Sequence, residues 1–295
     1  MVAYHALVRT LETFAHRPLL PQQTFSAAVG HVLNGFVPTK RFHDAGRLAG
    51  TKRYSESAVA KVAADELRVD LNPLLKCMVH AATRYNALLV HQSLNQYADL
   101  PVRTEVGFDS QGTLTFRSRT ESLSGDDPTA CRDTHLMGMD IILSSIAESG
   151  TQTVAASEIP AWGGRRLRPP ECVSGLAALL GLGSSVVSDA ALAFEADAAI
   201  KVQDVARHLG CHSRTLQREF KASGLTAETL KRACMLSRAT ALLSTAMTLT
   251  DIAHEAGYAD HAHMTRAFVK SCALPPSILR QAFTGPITST KHGYT

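Results

Sequence analysis

The chain has 295 residues, 45% hydrophobic and 19% charged, with 30 Lys and Arg against 26 Asp and Glu for a formal net charge of +4. This composition excludes a disordered chain and a fibre, and the length accommodates two domains with sizeable cores. The six cysteines form no C-x-x-C pair, and no signal peptide or long apolar run is present, so the expectation is a reduced, cytoplasmic protein without a membrane span.

In chain order, apolar spacing predicts helices over Tyr4 to His16, Gln22 to Asn34 and Ser55 to Leu67, then one long helix from Pro73 to Tyr97. After Pro101 the period changes to two, with Val102, Thr104, Val106 and Phe108 on one face. The turn Asp109-Ser110-Gln111-Gly112 follows, and then Leu114, Phe116 and Ser118, which predicts a hairpin. A helical period resumes from Thr134 to Glu148. The region from Pro160 to Ser185 is rich in Gly and Pro and reads as a linker, with the boundary near 175 to 186. Beyond it, Val186 to Ala196 is helical, and Thr226 to Ser244 forms a connecting helix of roughly 30 Å with Leu230, Ala233, Leu236, Ala239 and Leu243 on one face.

Two copies of one pattern flank that helix: Asp204, Val205, Ala206, Gly210, Arg218 and Phe220, then Asp251, Ile252, Ala253, Gly257, Arg266 and Phe268. In each, a first helix (Val202 to Leu209, or Leu249 to Ala256) carries a small alanine for close helix approach. A glycine that tolerates positive φ turns the chain, and a second helix buries a Phe. That is the sequence form of a helix-turn-helix, here duplicated. Charge is concentrated in the same region. Residues 199–284 hold eleven Lys and Arg against six acids, a net of +5, which leaves the remainder of the chain at −1. A polyanion partner is therefore expected for the carboxyl-terminal part. Successive major grooves on one side of B-DNA lie about 34 Å apart, a spacing that suits two helices held by a strut.

On the second helix of the first unit, Leu216 and Phe220 face inward, while Arg214, Gln217, Arg218 and Lys221 face outward with Ser213 at the helix start. Arg and Gln form bidentate hydrogen bonds with guanine and adenine edges, about 1–3 kcal/mol of discrimination per good pair. In the second unit, Met264 and Phe268 face inward, and His261, Ala262, His263, Thr265 and Arg266 face outward, with Lys270 beyond.

The segment V-Q-D-V-A-R-H-L-G-C-H-S-R-T-L-Q-R-E-F-K, the connecting helix, and T-L-T-D-I-A-H-E-A-G-Y-A-D-H-A-H-M-T-R-A-F-V-K with A-L-P-P-S-I-L-R resemble the AraC/XylS transcription regulators over residues 184–284. The resemblance implies a mostly α protein: an all-helical double helix-turn-helix domain at 187–284 that binds double-stranded promoter DNA. It assigns base reading to Arg214, Gln217 and Arg218 in the first unit and to His261, Ala262, His263, Thr265 and Arg266 in the second. Ala262 stands where a polar residue is often found, and Ile278-Leu279 replaces a customary aromatic after Pro-Ser as a core substitution. A fainter resemblance over the amino-terminal helices and hairpin implies a mixed α+β regulatory domain at 1–175 that dimerises and takes a small effector. The linker is then 176–186 and the tail 285–295. By the same resemblance, RNA polymerase is a partner and activation the mode of control.

No G-x-S-x-G, Walker loop or G-x-G-x-x-G after a strand is present, and neither an enzyme nor a cofactor is expected. Cys77 with His80 and Cys131 with His135 have helical ligand spacing but no third ligand in view, so packing is favoured over zinc or thiol sensing. A pure protein-interaction role for the amino-terminal part stands as the alternative to an effector. Glu56, Asp65, Glu66 and Asp70 read as a solvated helix face.

Overall fold

A computed structural model describes residues 5–15, 19–35, 37–38, 40–41, 44–45, 56–97, 102–108, 110, 114–120, 129–146 and 167–284. In chain order its elements are α1 (His5–Ala15), α2 (Pro21–Leu33), α3 (Glu56–Arg68), α4 (Pro73–Val79) and α5 (Arg84–Tyr97), then strands β1 (Val102–Phe108) and β2 (Leu114–Thr120). They continue with α6 (Thr129–Ser145), α7 (Val173–Leu179), α8 (Val186–Ala196), α9 (Val202–His208), α10 (Ser213–Ala222), α11 (Ala227–Leu242), α12 (Leu249–Glu255), α13 (His261–Cys272) and α14 (Pro276–Arg280).

The protein is mostly α, and the expected mixed α+β amino-terminal domain is corrected to a helical assembly with one antiparallel hairpin among the described residues. The hairpin has the predicted strands, with Val106 opposite Phe116. Among its described side chains, Val106 is half-buried against the core and Phe108 is 52% exposed. The interior is instead made by helix faces: α1 packs on α3 and α6, and α3 on α6. The predicted turn lies outside the described residues apart from Ser110.

The long helix predicted from Pro73 to Tyr97 is two helices. The chain leaves helical geometry at His80, and the Ala82 N–H donates to the carbonyl of Ala282 at 2.8 Å. Thr83 Oγ1 then accepts from the Asn86 N–H at 3.1 Å, which starts α5. Asn86 Nδ2 in turn donates to the carbonyls of Gln281 and Thr284, both at 2.8 Å. Tertiary partners at the carboxyl-terminal end thus break an apolar period that favours continuity.

Part of the Gly- and Pro-rich stretch is helical. Residues 173–179 form α7, in which Val173 and Leu176 are fully buried against the common core, and Glu195 on α8 accepts from the Ser174 N–H at 3.0 Å. Burying α7 removes apolar surface from water, so its Gly and Pro neighbours act as helix punctuation rather than as a flexible tether.

The acidic stretch is not a solvated face throughout. Glu66 accepts from Arg9 Nε at 2.5 Å and from Thr13 Oγ1 at 3.2 Å, and Asp70 is buried, accepting from the Asn72 N–H at 2.8 Å. Asn72 Oδ1 in turn accepts from the Leu74 N–H at 2.9 Å and caps α4. Both helix–turn junctions of the repeat close with the same pair of bonds. The Cys211 and Tyr258 N–H groups reach back to Ala206 and Ala253, and Gly210 and Gly257 donate to Arg207 and His254. This Schellman pairing needs a left-handed residue, and the two glycines sit at φ 64° and 87°.

Two predictions follow from these contacts. A Cβ on Gly210 meets open space, whereas one on Gly257 falls 2.3 Å from the Cβ of Ala198. Gly210→Ala is expected to cost about 1 kcal/mol of backbone strain, and Gly257→Ala about 1–3 kcal/mol more from overpacking. Urea unfolding of the two variants measures the difference.

Desolvation raises the Asp70 carboxyl from 3.8 to about 6. The native state therefore holds a proton that the unfolded chain releases between those values, and stability falls as pH rises through that window. His5 and His31, which line a small cavity together with Asp70, are pulled down chiefly by burial, His31 to about 3, which works in the opposite direction. Comparing Asp70→Asn with the parent isolates the carboxyl: the variant should be more stable by about 2 kcal/mol at pH 7.5 and indistinguishable at pH 3. Denaturant titrations at the two pH values check this.

Candidate nucleic-acid interface

Helix α10 forms because Leu216 and Phe220, 0% and 1% exposed, lie on one stripe and dock against α8 and α9, while every other turn is polar. That packing fixes the opposite stripe outward. Arg214, Gln217, Arg218 and Lys221 are all exposed and Ser213 is half-buried. Arg218 is 76% exposed and lies 3.7 Å from Glu219, a loose surface pair that leaves the guanidinium able to reach a partner. No side chain caps the start of α10, so its first-turn N–H groups are available to an anion.

Helix α13 repeats the arrangement on Met264 and Phe268, both 0% exposed. Outward lie His261, Ala262, His263 and Arg266, with Thr265 half-buried. Its chemistry differs from that of α10. Asp260 accepts from the His263 N–H at 2.6 Å and caps the helix, and that bond holds the Asp260 carboxyl below its usual range. Thr265 Oγ1 and His261 Nε2 are 3.3 Å apart, so these two polar groups engage each other. The His263 ring stands edge-on to Tyr258 with centroids 5.2 Å apart, a contact that orients the imidazole.

Both units are carried by α11. Leu230, Ala233, Leu236, Ala239 and Leu243 are buried as the spacing predicts, and so are Cys234, Met235, Ser237 and Thr240. The helix has 16 residues and spans about 24 Å, shorter than predicted, because Thr226 caps its start and the chain turns after Leu243. Arg238 fastens it at two points, donating to the Glu195 carbonyl at 2.8 Å and pairing with Glu255. Leu279, at the Ile278-Leu279 substitution, is fully buried.

Sequence reasoning missed Arg232 on α11. With Glu228, His263, Arg266 and Lys270 it lines a cleft of about 420 Å³ beside the second recognition helix. Its signal was present as a basic residue four positions after Glu228 on the exposed stripe of a helix otherwise read for its apolar face. Cys77 and His80 do not come together as a site. Cys77 is buried, its thiol pushed up by desolvation, whereas His80 is exposed, and the Cys131 side chain lies outside the described residues. Among the described residues no group of three or more His, Cys, Asp or Glu is placed to hold a metal, and no helix is long and apolar enough to cross a membrane.

Two helix-turn-helix units with matched turns, outward polar stripes and a shared buried helix define a double helix-turn-helix DNA-binding domain, the domain of a transcription regulator. Residues 205–282 match the family model described as a helix-turn-helix domain, of the AraC type, so this chain carries an AraC-type DNA-binding domain. Among solved structures, ToxT from Vibrio cholerae is similar at 18% identity over 35% of this chain and 39% of its own, with a TM-score of 0.32. The transcriptional regulator CdpR from Pseudomonas aeruginosa is similar at 16% identity over 95% of this chain and 99% of its own, with a TM-score of 0.31. The match to ToxT thus spans well under half of that protein. No curated protein sequence matches the chain.

Proposed function

We propose that the protein is a cytoplasmic, homodimeric activator of transcription that reads promoter DNA in a sequence-specific manner with residues 187–284, acts together with RNA polymerase, and is controlled by a small effector through the region up to about residue 175. The reading makes it a binding protein, not an enzyme. One observation supports its DNA-reading part: α10 presents Arg214, Gln217, Arg218 and Lys221 on the stripe opposite two fully buried anchors, Leu216 and Phe220.

Arg214, Gln217 and Arg218 suit base edges, because guanidinium and amide groups match the donor and acceptor pairs of guanine and adenine in the major groove. Lys221, a flexible point charge at the end of the helix, suits phosphate, with Ser213 at the helix start. In the second unit Arg266 supplies the guanidinium, His261, His263 and Thr265 offer weaker or tautomer-dependent hydrogen bonds, and Ala262 offers only a methyl contact. The first helix is therefore assigned the stricter reading and the second the more permissive one.

Arg218→Ala is expected to lose about 1–3 kcal/mol at one operator position and to relax specificity there. Lys221→Ala should weaken binding to all sequences alike and lower the salt slope by about one. Operator selection from a random library, followed by affinity against salt for each variant, checks both. Equal, sequence-blind losses in the two variants would sink the base-reading assignment.

A further inference from the structure

We propose that the stacked rings of His5 and His31 form an acid-sensitive latch between the amino-terminal helices and the DNA-binding half: neutral, they hold α1 on α2, and protonated, they release it. The rings lie parallel within 8°, with centroids 3.6 Å apart. Their placement gives the contact its reach. Helix α1 packs on α3 and α6, whereas α2 packs on α11 and α13, so the two imidazoles stand where those groups of helices meet. His5 Nε2 also donates to the Asn34 carbonyl at 2.8 Å, one residue before Gly35, which lies against the Ser271 carbonyl near the end of α13.

The pocket is built for neutral rings. The bond to Asn34 uses a proton on Nε2, which leaves neutral His5 with an unprotonated Nδ1. That atom is buried and, among the described residues, has no hydrogen-bond partner. A second proton would therefore create an N–H without an acceptor, on a residue 8% exposed. Two imidazoliums in face contact would also repel each other.

The surrounding charges give no relief. Arg9 and Arg41 both disfavour a further cation at the rings. Glu12 is held by Arg41 through bonds of 2.7 and 2.9 Å, and Glu66 by Arg9 through bonds of 2.5 and 3.3 Å. Asp70, which lines the same cavity, itself takes up a proton near pH 6. Among the described residues, the other elements packed on α1 and α2 supply no counter-ion. Helix α7 is uncharged, and His135 of α6 faces His91. Glu228 shares its cleft with Arg232, Arg266 and Lys270 around Leu33, two positions after His31 and so on the opposite side of α2.

Burial pulls both imidazoles down, His31 from 6.5 to about 3, so the latched form excludes protons that the released form accepts. Acid therefore favours release, and for His31 alone the released fraction rises about tenfold between pH 7.5 and 5.5. Asp70, raised to about 6, works the other way wherever release exposes it.

The test uses the full chain without DNA, carrying Asp70→Asn so that the opposing carboxyl is absent. Amide hydrogen exchange, corrected for its intrinsic pH dependence, is followed at pH 7.5 and 5.5. Amides at the end of α2 should lose protection by about tenfold or more at pH 5.5, while those of α8 and α11 keep theirs. His31→Phe, which stacks but takes no proton, should remove the tenfold share of His31. His31→Arg, with a permanent charge, should show the loss already at pH 7.5 and provides the readout if His31→Phe does not fold. Unchanged protection at pH 5.5, a loss that persists in full in His31→Phe, or a loss spread equally over α8 and α11 would overturn the latch. Resting on the DNA-binding reading above, operator affinity at pH 5.5 should differ by about fivefold or more with and without His31→Phe, and not at pH 7.5. Equal affinities at pH 5.5 would overturn control of the readers by the latch. Arg218→Ala should keep the exchange pattern, so a failure of the base-reading assignment is distinguishable from a failure here.

Discussion

Nearly everything in this protein depends on the burial of α11. A helix that joins two DNA-reading units in isolation needs only one apolar stripe, since the other side meets water. Here a second side is covered as well. Around the buried Leu230, Leu236 and Ala239, the helix packs with α8 and with α12 and α13 of the second helix-turn-helix unit, and it is contacted as well by α2 and α4 of the amino-terminal half. Because α11 is held on both sides, the positions of α10 and α13 are fixed by one continuous core rather than by a tethered pair of domains.

The polar residues inside that core explain why it holds one arrangement. Ser237 donates to the carbonyl of Glu171 at 3.1 Å while accepting from Lys76, and Thr240 returns its hydroxyl to the Leu236 carbonyl at 2.7 Å. Cys234 lies 3.8 Å from the Ala191 carbonyl on α8. Apolar contact alone tolerates sliding of one helix along another, whereas a buried donor must meet its acceptor. The bonds of Ser237 with Lys76 and Glu171, and the contact of Cys234 with Ala191, therefore set the register between α11 and the elements around it.

The turns of the two units were legible because they rest on local chemistry. Gly210 and Gly257 announce a left-handed residue, and Leu216, Phe220, Met264 and Phe268 announce a buried stripe by their spacing. The outward side chains follow from that stripe by elimination. What failed to show in the sequence depends on distant partners. Ser237 looks like the solvated side of α11 until Lys76 on α4 is placed on it, and Cys234 until α8 is. Asp70 looks like one more surface acid until the turn before α4 folds over it, and the break at His80 to Thr83 depends on carbonyls two hundred residues away. The hairpin strands were correct, yet strand content misled as to class, because the amino-terminal core is built from helix faces that period alone cannot assign to one another. Arg232 was hidden by attention to the apolar stripe of its helix.

The way the amino-terminal half meets the readers limits how it can act on them. Near the start of α2, Gln22 Nε2 donates to Ser223 Oγ at 3.2 Å and Ser26 donates to the Ser223 carbonyl, at the end of the first recognition helix. Just after α2, Gly35 approaches the Ser271 carbonyl near the end of α13 so closely that a Cβ would overlap it. Between those contacts α2 has 13 residues, about 20 Å of helix, lying alongside α11. The two recognition helices are thus spaced by two struts, one from each half of the chain. Both contacts fall at the carboxyl-terminal ends of the recognition helices, away from the outward stripe of Arg214, Gln217 and Arg218. Anything that shifts α2 against α11 therefore changes the spacing and tilt of α10 and α13.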